Sequence, residues 1–296
     1  MNKIDNSVIE IDLDNCTKCK ACVNDCVAHL FYIKEDTLHI VDDFIERCIL
    51  CGHCVATCPV NVIALKTYKD EEINELKNIG GSPDLKSLHN LIVKRRSIRQ
   101  FKGESVSKQL IEKLLETARY SPTGSNSENV YYTIIQNEEK VTNISNLITE
   151  KVKRFVKMMD DQKSRESLKA SMLEVEFNLA VENLPRTKAI LKTIDEGIDF
   201  WCWNGSLIFI HGDKTVGGIL TNSALAAAHI MLAAEALGIG TCSLGYLTFY
   251  ANQSETIKKL INLPKNHEVG YSLTIGYPNV KYKRIPPRKP VRVQWL

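Results

Sequence analysis

The spacing of hydrophobic residues predicts helices and strands along most of the chain after residue 88. SKQLIEKLLETARY places Leu110, Leu114 and Ala118 on one helical face, and Ser107 can cap this helix at its start. YYTIIQ and SLIFIHG are runs of aromatic and branched residues, which are typical of strands. HEVGYSLTIGYP predicts a late strand that ends at Gly-Tyr-Pro. Helices and strands do not alternate regularly, so the pattern favours an α+β fold.

Two longer stretches predict helices in different surroundings. TNSALAAAHIMLAAEALG, with a Thr-Asn start and a stop at Gly238, is apolar on most sides and predicts a buried helix. His229 and Glu235 interrupt it, and no apolar run approaches the roughly 20 residues that span a bilayer, so we expect no membrane segment. NLITEKVKRFVKMMDDQKSRESLKASMLEVEF is charged and predicts a helical hairpin that faces solvent or a partner.

The start of the chain differs in composition, because eight of the ten cysteines precede Pro59. We expect a cysteine-rich domain over 1–68, a charged linker with Gly-Gly-Ser-Pro over 69–87, and a second domain over 88–296. MNKIDNSVIEIDLD lacks the basic start and apolar core of a secretory signal, which favours a cytoplasmic protein. Thiols stay reduced in that compartment, so the clustered cysteines indicate metal rather than disulfides.

The charge pattern excludes one class of partner. The net charge is +3, and acidic and basic residues are interspersed. No basic surface for nucleic acid is indicated, so we expect no nucleic-acid partner.

The cysteines form two runs, CTKCKACVNDC and CILCGHCVATCP, with the spacing C-x2-C-x2-C-x3-C. Two residues between ligands let a tight loop aim three sulfurs at one metal centre, and the fourth cysteine lies a helical step further on. A pair of structural zinc sites is the alternative, since paired C-x2-C elements also bind zinc. Zinc sites usually combine two short pairs across a longer loop, whereas three cysteines lie within seven residues here, twice. The spacing therefore favours iron–sulfur clusters.

Over roughly its first 65 residues the chain resembles the bacterial two-cluster ferredoxins. The resemblance implies two [4Fe-4S] clusters, each of which takes its fourth ligand from the other run. One cluster would be bound by Cys16, Cys19, Cys22 and Cys58, and the other by Cys48, Cys51, Cys54 and Cys26. Val27 replaces the proline expected after Cys26, which removes rigidity but no ligand.

Four motifs of the second domain carry candidate chemistry. KRRSIRQF offers three guanidinium groups beside a hydroxyl, a good receptor for phosphate, although basic residues at a helix end are often only solvated. YSPTGSNSENV is a polar turn that could hydrogen-bond a ligand or be an ordinary loop. ALGIGTCSLGY is a glycine-broken exit from the apolar helix, and IGYPNVKYKRIPPRKP forms the tail.

In this order, the four motifs resemble the FMN-dependent nitroreductase family over residues 88–296. The resemblance implies an α+β sandwich with a central sheet flanked by helices, bound FMN, and a homodimer whose active sites lie at an intertwined interface. The chain departs from the family at Glu128, Asn129 and Val130, where the usual sequence is Gln-Pro-Trp.

Carried over residue by residue, the resemblance also implies the flavin contacts. The phosphate, ribityl chain and pyrimidine edge would be bound by Arg95, Arg96, Ser97 and Arg99. The flavin of the second subunit would be reached by Pro122, Thr123 and Asn126. The isoalloxazine would be lined by Ser243, Leu244 and Gly245, with the backbone N–H of Gly245 or Tyr246 near N5. One tail arginine, Arg288 in preference to Arg284, would return to the phosphate.

Five further residues near these motifs are interpreted as packing residues. Trp201, Cys202, Trp203 and Asn204 lie in the region where some family members contact the flavin, and packing in the core is preferred to flavin contact for them. Cys242 is interpreted as a small buried residue rather than a nucleophile, because no base is identifiable beside it.

Together the cofactors imply an FMN-dependent oxidoreductase. Electrons would pass through two clusters to FMN, then as hydride from N5 to a small-molecule acceptor such as a nitroaromatic, a quinone or an activated alkene. The donor would be NAD(P)H in the same pocket or a reduced ferredoxin, and GDKTVGG lacks the context of a separate dinucleotide site. A non-catalytic electron carrier, a reductive dehalogenase and a flavin-modifying enzyme are the alternatives.

Overall fold

A computed structural model describes residues 2–69 and 79–296 of the chain. The chain divides into two compact units, one that runs to Pro83 and includes Ser125–Ser127, and one formed by Asp84–Gly124 and Glu128–Leu296. Residues 70–78 of the predicted linker, 69–87, lie outside the described residues.

The N-terminal unit combines a small sheet, a hairpin and three short helices. Its sheet is antiparallel with the order β1-β2-β5, formed by Lys3–Asp5, Ile9–Asp12 and Ile63–Leu65. β3 (Phe31–Lys34) and β4 (Thr37–Ile40) form the hairpin, and the helices are α1 (Ala21–Asp25), α2 (Phe44–Arg47) and α3 (His53–Thr57). Alternation along β2 buries Ile9 and Ile11, which pack with Phe44 and Leu65 in one core.

The second unit is built on a four-stranded antiparallel sheet with the order β6-β7-β9-β8. The strands are β6 (Tyr131–Ile135), β7 (Ser206–Asp213), β8 (Gly240–Ser243) and β9 (His267–Gly276). The helices are α4 (Leu85–Lys94), α5 (Lys108–Ala118), α6 (Glu138–Asp160), α7 (Gln162–Ser171), α8 (Glu174–Asp195), α9 (Ile219–Ala236), α10 (Gly245–Gln253) and α11 (Glu255–Leu260).

Both faces of this sheet are covered by helices, and β7 shows why. Leu207 and Phe209 pack into a core with α6, α10 and α11, while Ile208 and Ile210 pack into a second core with α5 and α9. A strand buried on both faces has a continuous apolar sequence, as SLIFI does. The expected α+β sandwich with helices on both faces of a central sheet is confirmed.

The apolar helix α9 differs from its prediction in two respects. It begins at Ile219, and its N-cap is Gly218 in the left-handed region with φ 68°, rather than the Thr-Asn pair. Only one face is buried, through Ala226, Ala227 and Ile230, while Leu220 keeps 65% of its surface exposed. Among the described residues, α9 is the one helix long and apolar enough to cross a membrane by length and composition alone. Its buried face packs on β7 and β9 within the folded unit.

The charged segment forms three helices rather than a two-helix hairpin. Asp161 ends α6 and also caps α7, since its side chain accepts a hydrogen bond from the Ser164 N–H at 2.8 Å. α7 buries no residue, and α8 contains Pro185 in its interior. The segment is helical as predicted and most of its residues are exposed, but Ile148 and Val152 of α6 are buried in the core, and the predicted helix count is wrong.

A buried histidine on β7 makes the stability of the second unit sensitive to acid. His211 is 4% exposed, its Nδ1 lies 2.8 Å from Nδ1 of His267, and its Nε2 lies 3.1 Å from Oγ1 of Thr133. Burial, with a smaller effect of His267, lowers the pKa of His211 from 6.5 to about 4. Below pH 6.5 the unfolded chain binds a proton that the folded one does not, so this stability is lost as the pH falls towards 4.

We therefore expect His211→Gln to flatten the pH dependence of unfolding. From pH 7 to pH 5 the wild type should lose roughly 2 kcal/mol more than the variant, because only the wild-type side chain titrates. Urea unfolding followed by tryptophan fluorescence measures this, since all three tryptophans belong to the second unit. The exposed His89→Gln is the control and should follow the wild type. Equal slopes for wild type and His211→Gln would contradict the argument.

Candidate functional site

The eight clustered cysteines lie around two small cavities in the N-terminal unit. A cavity of about 20 Å³ is lined by Cys16, Cys19, Cys22 and Cys58. Another, of about 30 Å³, is lined by Cys26, Cys48, Cys51 and Cys54. Ile33, Leu38 and Ile63 complete the first wall, and Leu30, Phe31 and Phe44 complete the second. Each cavity thus receives three cysteines from one run and the fourth from the other run.

A short helix carries the third cysteine of each run and ends directly before the fourth. Lys20 and Gly52 precede α1 and α3 in the left-handed region, with φ 63° and 73°, and turn the chain after the second cysteine. Cys26 and Cys58 follow these helices in extended backbone, so each side chain leaves its own loop. At Gly52 a Cβ atom would lie 2.8 Å from the Tyr68 ring, which explains the glycine there.

Two of the cysteine thiols lie where burial opposes their ionisation. Burial raises the pKa of Cys22 to about 11 and that of Cys54 to about 12. Free thiols there would be protonated at neutral pH, so binding as thiolates to a metal displaces protons. Within residues 2–69 and 79–296 no three His, Cys, Asp or Glu side chains converge to hold a single metal ion. Four cysteine thiolates are the ligand set of a [4Fe-4S] cluster, so the residues around each cavity fit that group.

The polar turn SPTGSNS is divided between the units. Ser125–Ser127 group with the N-terminal unit, in which Nδ2 of Asn126 donates to the carbonyl oxygens of Ile49 and Leu50 at 3.3 and 3.1 Å. Pro122 and Thr123 belong to the second unit, where Oγ1 of Thr123 accepts from the Glu128 N–H at 3.0 Å. These three predicted flavin contacts thus belong to different units, and their contact with the flavin of a second subunit stays a prediction.

The second unit has a large cavity between β8, α10 and the segment 199–204. Its volume is about 620 Å³. It is lined by Arg99, Arg186, Phe200, Trp201, Trp203, Cys242, Ser243, Leu244, Gly245, Tyr246, Phe249 and Tyr250. Five of the predicted flavin residues thus come together here, while Arg284 and Arg288 lie exposed in the tail and do not line it.

The arginine motif reaches this cavity because it runs beside β8. Ser97 forms an isolated parallel bridge with Thr241, and the Ile98 N–H donates to the Thr241 carbonyl at 2.9 Å. Ser97 and Arg99 thereby come within hydrogen-bonding reach of the Cys242 thiol, whose pKa is raised because burial outweighs these favourable contacts. Arg96 turns the other way, and its guanidinium donates to the Val93 carbonyl at 2.9 Å.

Two glycines that face each other across β8 and β9 let the motif pass so closely. Gly240 pairs with Gly276, and a Cβ on Gly240 would lie 2.8 Å from the Ile98 side chain. A Cβ on Gly276 would lie 2.7 Å from the Phe101 ring. Because Ile98 is only 6% exposed, it has no free space to move into.

Gly240→Ala is therefore expected to displace the arginine motif. Overpacking of this kind costs about 1–3 kcal/mol, and here it pushes Arg99 away from the cavity and Ser97 away from the Cys242 thiol. We expect FMN to bind about ten-fold more weakly, as measured by the fluorescence of released flavin. Gly103→Ala is the matched control, because a Cβ there meets nothing within 4 Å. Equal FMN affinity in both variants would contradict this account of Gly240.

Asp199 organises the aromatic wall opposite. Its Oδ1 accepts from Oγ of Ser145 at 2.6 Å and from the Cys202 N–H at 3.1 Å, while its Oδ2 accepts from the Asn204 N–H at 3.0 Å. These bonds hold Trp203 and Asn204 in the left-handed region, at φ 58° and 53°. A left-handed conformation is tolerated by asparagine but unfavourable for tryptophan, so the position of Trp203 in the wall depends on Asp199.

The four residues of the Trp-Cys-Trp-Asn segment have different roles. Trp201 and Cys202 are buried in the core as expected, and Nε1 of Trp201 donates to Oγ1 of Thr149 at 2.8 Å. Trp203 lines the cavity, with the Arg99 guanidinium 5.8 Å from its ring centroid. Asn204 is exposed. The assignment to the core is therefore wrong for Asn204 and incomplete for Trp203.

Each of the two units contains a region that matches the model of a known protein family. Residues 15–63 match a model described as a 4Fe-4S dicluster domain. Residues 92–277 match the model of the nitroreductase family. The chain belongs to the nitroreductase family. The expected fusion of a two-cluster ferredoxin-type domain to a nitroreductase domain is confirmed, and with it the predicted enzyme class, an oxidoreductase.

Two curated relatives resemble parts of this nitroreductase-family chain. "CR(VI) reductase" from Pseudomonas sp. (strain G-1) is 28% identical over 202 residues, which cover 68% of this chain and 70% of that protein. "DNA-directed RNA polymerase subunit Rpo3" from Methanosarcina mazei is 26% identical over 70 residues, or 24% of this chain. The chain spans 26% of the length of Rpo3.

Solved structures with the same fold cover most of the second unit. A BluB-like flavoprotein from Clostridium difficile 630 has a TM-score of 0.53 at 20% identity, covering 71% of this chain and 96% of that one. A nitroreductase with bound FMN from Bacteroides fragilis NCTC 9343 has a TM-score of 0.50 at 18% identity, covering 70% and 98%. These likenesses show the fold.

Several cavity residues of this family member were not predicted from the sequence. Phe249 and Tyr250 lie three and four residues after the predicted Tyr246 on α10, a spacing that could have indicated one aromatic face. Phe200 precedes the Trp-Cys-Trp segment and carries no signal by itself. Arg186 lies in the middle of a charged helix, where nothing in the sequence distinguishes it from its neighbours.

Proposed function

We propose that the protein is a reductase in which two [4Fe-4S] clusters and one FMN pass electrons to a small-molecule acceptor. The observation that carries the proposal is that Arg99, Ser243, Leu244 and Gly245 converge on one aromatic-lined cavity. In the same chain, the eight cysteines of the two runs line two further cavities. When bound, FMN exchanges one or two electrons, which suits it to link one-electron clusters to a two-electron reduction.

The residues of the cavity and of the adjacent arginine motif have distinct tasks in this proposal. Arg95, Ser97 and Arg99 bind the phosphate, ribityl chain and pyrimidine edge, because guanidinium groups offer fixed paired donors to anions. α10 begins at Gly245, so the N–H groups of Gly245 and Tyr246 have no acceptor within the helix and remain available to the flavin. The apolar and aromatic side chains exclude water from the bound ring.

We further propose that the protein is a cytoplasmic homodimer. The exposed face of α9 carries Leu220 and Leu225, and the tail exposes Val291 and Trp295, at 87% and 91%. Apolar residues of this size on a helix face and an extended tail support a protein interface. The predicted second-subunit contacts of Pro122, Thr123 and Asn126 and the return of Arg288 or Arg284 belong to this dimer.

The donor and acceptor follow from the same arrangement. NAD(P)H or a reduced ferredoxin supplies electrons, and a nitroaromatic, quinone or similar acceptor consumes them. The related protein's printed name, CR(VI) reductase, adds chromate to the acceptors worth testing. Each two-electron reduction of a nitro group to a nitroso group takes up two protons and releases water.

Anaerobic purification followed by assays of iron, sulfide and flavin tests the cofactors. We expect about eight irons and one FMN per chain. Flavin absorbance should then bleach with NADH, NADPH or reduced ferredoxin and return when an acceptor is added. Zinc without flavin would overturn the cofactor assignment. A flavin that stays reduced with every nitro, quinone, enone and chromate acceptor would identify an electron carrier instead.

A further inference from the structure

The wall of the large cavity is positively charged on balance. Arg99 and Arg186 are its only ionised side chains, and no aspartate or glutamate among the described residues lines it. Such a wall attracts an anion and disfavours a cation, and its effect is strongest where aromatic surface excludes water.

The two arginines differ in the interactions that their guanidinium groups already make. Arg99 lies over the Trp203 ring and beside the Cys242 thiol, and we have proposed that it binds FMN. Arg186 makes no ion pair or hydrogen bond within the described residues. Its neighbour Lys188 is paired with Asp160 at 2.6 Å, so the available guanidinium on this part of α8 is that of Arg186.

The remaining wall is suited to a flat ring. Tyr246 packs edge-on against Trp201 at 5.3 Å and against Phe200 at 6.4 Å, and Phe249 packs edge-on against Tyr250 at 5.1 Å. Aromatic groups held in crossed orientations present both faces and edges to a ligand, and both favour another aromatic ring. The cavity therefore combines an aromatic receptor with an unpaired guanidinium.

We propose that this cavity selects aromatic acceptors bearing an anionic group, and that Arg186 binds that group. The proposal rests on the proposed function for its reductive step, in which nitro acceptors gain two electrons and two protons from the donor and release water. The binding of the anionic ring is argued from the cavity alone and does not depend on the reductive step. A carboxylate on the ring matches the planar, paired donors of a guanidinium.

Binding of ligands that cannot be reduced gives the first test. Benzoate and neutral benzamide, which have similar size, are titrated into the holoenzyme and followed by calorimetry. Arg186→Gln should weaken benzoate about five- to ten-fold and leave benzamide within two-fold, as removal of one charged hydrogen bond in a partly exposed site predicts. Arg186→Lys should restore part of the loss. Lys192→Gln removes one charge from the same helix without touching the cavity and should change neither ligand.

Kinetics give the second test, with 4-nitrobenzoate and 4-nitrobenzamide as acceptors. Arg186→Gln should raise the KM for 4-nitrobenzoate about five- to ten-fold, the factor expected for benzoate binding. The kcat and the KM for 4-nitrobenzamide should not change. Equal binding of benzoate and benzamide by the wild type would overturn the inference, as would a loss of FMN with unchanged ligand preference in Arg186→Gln. If benzoate binds through Arg186 but no acceptor is reduced, the proposed function fails and the anionic-ring site stands.

Discussion

Cys58→Ser is expected to lower the iron content of the anaerobically purified protein from about eight atoms per chain to about four. Cys58 follows α3 and lines the cavity shared with Cys16, Cys19 and Cys22, not the cavity of its own run. Loss of one thiolate from four removes the cluster bound there, while the other cavity keeps all four of its cysteines. Iron and sulfide assays with the 400 nm absorbance of the clusters measure the change.

Paired variants show which cysteines share a cluster. Cys16→Ser combined with Cys58→Ser should retain about four irons, because both side chains line one cavity. Cys54→Ser combined with Cys58→Ser should retain almost none, although these two cysteines belong to one run and are only four residues apart. The reverse result, with iron lost in the first pair and half retained in the second, would show that each run binds its own cluster.

The structure shows which predictions follow from local sequence. Strands β6, β7 and β9 are predicted because branched and aromatic residues alternate or run together over a strand length, and local pattern determines burial there. The start of α9 is not predicted from local sequence. Gly218 caps the helix with a left-handed backbone, while Thr221 and Asn222, the expected caps, lie within the helix. The capping preference of Thr and Asn therefore does not locate the start of this helix.

The large cavity likewise depends both on local motifs and on contacts between residues that are distant in the sequence. The arginine motif and Ser243–Gly245 are local motifs, and their meeting follows once Ile98 lies over Gly240. Arg186 reaches the same cavity from α8, 87 residues after Arg99 in the chain. No periodicity or spacing links these positions, because their proximity depends on how α8 packs beside the sheet. Asp199 is equally inaccessible from sequence, since its three acceptor contacts exist only in the folded turn.

Asp199→Ala is expected to lower the stability of the second unit and to raise the KM for the acceptor more than the other substitutions proposed in that unit. The substitution removes the acceptor for the Ser145 hydroxyl and for the N–H groups of Cys202 and Asn204. Leaving such partly buried donors unpaired costs about 2–4 kcal/mol, and the left-handed Trp203 loses the contacts that maintain it. We expect Tm to fall by about 5–10 °C. Acceptor KM should rise about ten-fold as the Trp203 ring leaves the cavity wall.

Asp195→Asn is the matched control for this variant. Asp195 lies four residues earlier and makes an exposed ion pair with Lys153 at 3.1 Å, so its loss should cost less than about 1 kcal/mol. A shift of tryptophan emission to longer wavelength in Asp199→Ala, absent in Asp195→Asn, would report that Trp203 has become solvated. If Asp199→Ala lowers Tm but leaves acceptor KM and tryptophan emission unchanged, Asp199 stabilises the fold without positioning the wall. Trp203 would then be held by its packing against Phe200, whose ring centroid lies 5.1 Å away.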